Sequence, residues 1–117
     1  MTTVKPWPPP PDRESIQELV RAADTEGLLA EGAPVDEYEP EEEAILAAIQ
    51  HFPTAELLVT TTLPLIEAVW RKSFVLDDKS MAERLPALLG LAEQIERFFG
   101  PEARPQVRQE SFYNPWN

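Results

Sequence analysis

Five glutamates fall within seven residues of this chain, Glu37, Glu39, Glu41, Glu42 and Glu43, with Asp36 before them and Tyr38 among them. Carboxylates at that density are the raw material of a divalent-cation site. A calcium loop, however, needs ligands alternating in the D-x-D-x-D-G manner, and no such loop occurs. On a helix successive positions fan around the axis, although Glu37 with Glu41, or Glu39 with Glu43, share a face. His51 is the sole histidine. It lacks the G-x-S-x-G, H-E-x-x-H or Glu-x-x-His surroundings that would make it a base or a ligand. The absence of cysteine removes thiolate zinc sites and thiol nucleophiles. No carboxylate pair is singled out for acid–base work. The expectation is a non-enzymatic chain with no cofactor and no metal.

What the carboxylates do offer is a field. Residues 12–56 hold thirteen acids and two bases, while the remainder holds eight of each, so the whole formal charge of −11 belongs to one segment. Between Arg21 and Arg71 there is neither lysine nor arginine. Such a field repels nucleic acid and anionic lipid and attracts basic protein surfaces. Two readings of the acidic run remain open: a solvated face that serves the helix dipole and solubility, or a docking surface for a partner's Lys and Arg.

The elements that position these residues read as helices. The 117 residues, 43% of them hydrophobic and 9% aromatic, fit one domain with a modest core. Asp12 is a natural N-cap for a helix to about Ala23, with Ile16, Leu19, Val20 and Ala23 at helical spacing. Gly27 and Gly32 bracket a turn carrying Leu28 and Leu29, and Ala33-Pro34 extends the chain. A second helix begins between Glu37 and Pro40, capped by Asp36 or by Glu39 with Pro40 in the first turn, and Pro53 stops it. Thr54 caps a third segment with Leu57, Leu58, Leu65, Ile66, Val69 and Trp70, where Pro64 predicts a kink or a restart at Thr62. Asp77 or Asp78 opens a fourth segment to about Phe99, with a late start or bend at Pro86, and Gly100-Pro101 ends it. No stretch alternates as a strand would. The prediction is all-α: a small bundle of four main helices over residues 12–100, with an extended Pro-rich arm at 1–11 and an extended aromatic tail at 101–117.

The stretch from Asp24 to Leu46, through Gly27, Gly32, Ala33, Pro34, Asp36, Glu37 and Tyr38, resembles the YugE-like family of small bacterial helical proteins, a domain of unknown function. The resemblance covers about a fifth of the chain and implies an all-α fold; it brings no activity, cofactor or catalytic residue. In the G-A-P-V-D-E-Y loop, turn and cap chemistry accounts for each residue type. A recognition surface formed by Asp36, Glu37 and Tyr38 is the competing reading.

Trp7 among the prolines and Trp116 beside Pro115 either fold back on the bundle or anchor a partner. The functional expectation is an acidic interaction module whose partner is a basic protein surface, in its sharpest form an immunity- or antitoxin-type inhibitor covering a toxin or nuclease. Its contacts would be Asp36, Glu37, Tyr38, Glu39, Glu41, Glu42 and Glu43, with Trp7 and Trp116. The alternative is a scaffold or accessory subunit docking through its two arms. No run approaches the ~20 apolar residues of a membrane span, and no basic start precedes an apolar stretch, so a cytoplasmic location without direct nucleic-acid or membrane binding is expected.

Overall fold

The computed structural model describes residues 8–103. Its elements are α1 (Arg13–Ala23), α2 (Glu39–Ile49), a 3₁₀ turn (Thr54–Glu56), α3 (Val59–Phe74) and α4 (Asp78–Phe99). No strand occurs among the described residues. Each helix packs on its neighbours in the order α1, α2, α3, α4 and back to α1, so α2 and α4 stand at opposite corners. This is the expected four-helix arrangement. Trp7 and Trp116, and most of both arms, lie outside the described residues; Pro8 to Pro11 is non-helical, and Pro11 is buried.

Two helices start on the same local device. The Asp12 carboxylate accepts the Ser15 amide at 2.7 Å, and Asp77 accepts that of Ser80 at 2.8 Å. Each satisfies an amide that the first turn leaves without a partner. The core then follows the apolar spacing: Ile16 and Val20 of α1, Ile45 and Ile49 of α2, Ile66 and Trp70 of α3, and Leu88, Leu91, Ala92 and Ile95 of α4.

Three expected boundaries differ. Thr54 starts the 3₁₀ turn and α3 begins only at Val59, whose amide is capped at 2.7 Å by Glu96 of α4. α3 passes through Pro64 and α4 through Pro86 without interruption, so there is neither a restart at Thr62 nor a late start. Both prolines are exposed, which leaves the carbonyl one turn back open to water, while buried residues on either side hold the helix in place. Thr62 is buried and donates its hydroxyl to the Leu58 carbonyl at 3.0 Å.

α3 ends on Val75 in the left-handed region, φ 52°, with 88% of the residue exposed. A β-branched side chain there carries about 1–2 kcal/mol of strain and gains no burial in return. Val75→Asn is therefore expected to raise the free energy of unfolding by about 1 kcal/mol, read from urea denaturation. No gain in the urea midpoint would contradict this.

Candidate functional site

The chain leaves α1 through Asp24 in the left-handed conformation, φ 41°, and turns at Gly27 and Gly32, φ 72° and 99°. What holds this loop is one phenol. Tyr38 donates its hydroxyl to Asp24 Oδ1 at 2.7 Å and accepts the amides of Glu26 at 3.0 Å and Leu28 at 3.5 Å. Asp24 also accepts the amides of Leu29 and Ala30, at 3.0 and 2.9 Å. The Tyr38 hydrogen bond, followed by those amides, holds the Asp24 carboxyl below the usual carboxylate range. Burial, then the hydrogen bond to Asp24, pushes the Tyr38 phenol up to about 12.

A second layer ties the loop to the far helices. The Tyr38 ring lies 5.8 Å from Trp70, which lies 5.2 Å from Phe74. Trp70 Nε1 donates to Glu26 at 2.8 Å, and Arg84 grips the same carboxylate with Nε at 3.0 Å and a terminal nitrogen at 2.9 Å. Arg84, then Trp70, lowers the Glu26 pKa. The planar two-pronged contact suits guanidinium and carboxylate. Thus the loop reads as architecture.

This geometry corrects part of the expected contact set. Tyr38 is fully buried and is no surface anchor: its ring fills the core and its hydroxyl is committed within the loop. Neither Asp36 nor Glu39 caps α2 with its side chain. Tyr38 itself occupies the cap position, because the loop bonds fix where the helix can begin, and Pro40 falls in the first turn. Glu42 is 2% exposed and paired with Arg21 at 2.8 and 3.2 Å. Glu41 is 7% exposed, on the stripe that continues to Ile45 and Ile49. A partner cannot reach these side chains as it would open surface.

Four carboxylates of the run stay exposed. Asp36, Glu37 and Glu39 make no close side-chain hydrogen bond or ion pair among the described residues, and Glu43 pairs with Arg13 in an exposed contact. The Arg21 pKa is raised first by its Glu42 hydrogen bond, with Asp36 and Glu39 adding to the effect, so these acids gather around one guanidinium. His51 is exposed just beyond α2. No three His, Asp or Glu side chains among the described residues come together to hold a metal ion, and no described helix is long and apolar enough to cross a membrane. A shallow recess of about 270 Å³ lies between the start of α3 and the end of α4, lined by Val59, Glu93, Glu96, Arg97 and Glu102. It holds no nucleophile, and Glu96 is occupied with the Val59 amide.

Sequence reasoning missed the joint formed by Glu26 and Arg84, and the Arg21–Glu42 pair. Arg21 carried one signal, as the last base before a long acidic stretch. Arg84 carried none. Comparison with known proteins brings no relative: no family model matches the chain, and no curated protein or solved structure does either.

Proposed function

We propose that this protein is a non-enzymatic interaction module that binds a basic protein surface through the start of α2. The observation that carries the reading is that Asp36, Glu37 and Glu39 remain exposed and outside any close ion pair among the described residues, while Glu42, in the same run, is consumed internally. With Glu43 beside them they concentrate negative potential at one helix end, which speeds and orients encounter with Lys- and Arg-rich targets. Occlusion of a cationic toxin or nuclease, as an immunity- or antitoxin-type inhibitor, is the sharper form of the proposal, with a cytoplasmic site of action. Membership of the YugE-like family belongs to the same reading. Its support is that Asp24, Gly27, Gly32 and Tyr38, the residues of the resemblance, shape and tie together one loop.

The test is retention of basic proteins from host extract on the immobilised chain, followed by binding of each captured protein in solution. Asp36→Asn, Glu37→Gln, Glu39→Gln and Glu43→Gln together should weaken binding about tenfold or more, with the unfolding midpoint little changed. Binding should also fade near 1 M salt, where the screening length is about 3 Å. Unaltered binding by the neutralised variant would sink the proposal. Loss on trimming residues 1–11 or 106–117 instead would transfer binding to the arms.

A further inference from the structure

The outer face of α4 plays no part in the acidic surface. Along it Lys79, Ala82, Pro86, Leu89 and Glu93 step by three, four, three and four residues, the spacing of a coiled-coil seam, and all five are exposed. Leu85, next to Pro86, is 39% exposed and Leu89 36%. From Leu85 to Ala92 no side chain is polar or charged. Two turns of α4 are therefore apolar all round, whereas a surface helix ordinarily turns a polar face to water. α4 packs on α1 and α3 and stands at the corner opposite α2, so its bare stripe points away from the carboxylates that start α2.

We infer that this stripe is the contact with a second copy of the chain, two α4 helices packing antiparallel about a twofold axis near Pro86. The charges at its ends argue for that occupant and that direction. Lys79 lies at one end of the stripe and Glu93 at the other. Antiparallel pairing about that axis sets each Lys79 against Glu93 of the second copy, twice over, and brings Leu85 and Leu89 of the second copy together with an offset of about 3 Å along the helix. Parallel pairing would set lysine on lysine and glutamate on glutamate. A twofold contact requires a self-complementary surface of this kind. Ala82 and Pro86 are short enough to let the backbones approach. The arrangement also keeps the two acidic faces on the outside, where the −11 charge of each chain repels least. The seam is one helix wide, below the roughly 800 Å² per partner of a standard interface, so the dimer dissociates on dilution.

Sedimentation of the full chain from about 1 μM to 1 mM tests this. The mass should rise from 13.2 kDa toward twice that value with concentration. Leu85→Glu with Leu89→Glu should hold the chain as a monomer with unchanged helical circular dichroism. Lys79→Glu should weaken association about tenfold by turning both end pairs repulsive, and adding Glu93→Lys should restore it. Both charge positions are exposed, so these variants keep the fold if the leucine variant does not. A monomer across the whole range, whether residues 104–117 or solvent cover the stripe, overturns the inference. So does a dimer indifferent to the leucine substitutions, or a double charge exchange that fails to rescue.

Discussion

Trp70→Ala is expected to lower the free energy of unfolding by about 3–5 kcal/mol, the range for emptying a buried tryptophan site. Against a total of roughly 5–15 kcal/mol for a single domain, that loss is about a fifth of the stability at least. The size follows from position. Trp70 is fully buried, its ring lies between Tyr38 and Phe74, and its indole N–H ends on the Glu26 carboxylate. Alanine opens a cavity where three parts of the molecule meet and removes one of the donors that make a charged Glu26 tolerable indoors. Trp70→Phe keeps much of the ring and loses the N–H, so it should cost distinctly less. Urea denaturation followed by far-ultraviolet circular dichroism separates the two, since Trp7 and Trp116 complicate fluorescence. A loss under about 1 kcal/mol for the alanine variant would mean that the joint between the loop, α3 and α4 is not what holds the bundle.

The second large effect is a stability window closed at both ends by the same network. Asp24 has its pKa depressed by the Tyr38 hydroxyl and by loop amides, and Glu26 by Arg84 and Trp70. The unfolded chain releases those protons near pH 4, above the folded values. Their contribution is therefore complete above about pH 4 and is lost as pH falls through the folded pKa values. Asp77, lowered by the Ser80 amide that it caps, acts in the same direction. Tyr38 acts at the other end. Its phenol is pushed up to about 12 in the fold. In the unfolded chain it titrates near about 10, so stability drains as pH rises between the two. Unfolding midpoints measured from pH 2 to 12 should fall at both extremes. Asp24→Asn with Glu26→Gln should flatten the acid limb, and Tyr38→Phe the alkaline one. An acid limb as steep in the double variant as in the parent chain would remove Asp24 and Glu26 from the account.

The same residues show where a linear reading of this chain works and where it fails. Asp12 caps α1 as its place after the prolines implies, and of the two candidate starts of α4, Asp77 and Asp78, it is Asp77 that caps, through the Ser80 amide. The stripe Ile16 and Val20, the turn at Gly27 and Gly32, and the end of α4 at Phe99 before Gly100 are equally local. Pro64 and Pro86 neither restart nor delay their helices, because a proline on the solvent side leaves its orphaned carbonyl to water. Glu41 and Glu42, placed in the contact set with the rest of the acidic run, are buried. Burial is set by which side of α2 faces α1 and α3.

Helical content, the number of long helices and the lopsided charge were legible from order alone, since each depends on groups within a few residues of one another. The start of α3 was not: its cap is Glu96, 37 residues away. Neither was the fate of Glu26, settled by Trp70 and Arg84 at separations of 44 and 58 residues, nor the withdrawal of Tyr38 into the interior. A carboxylate in a linear chain is solvated whatever its remote neighbours are. Only when packing removes the water must it find a guanidinium, an indole or an amide, and which one it meets is decided by how four helices close into a ring.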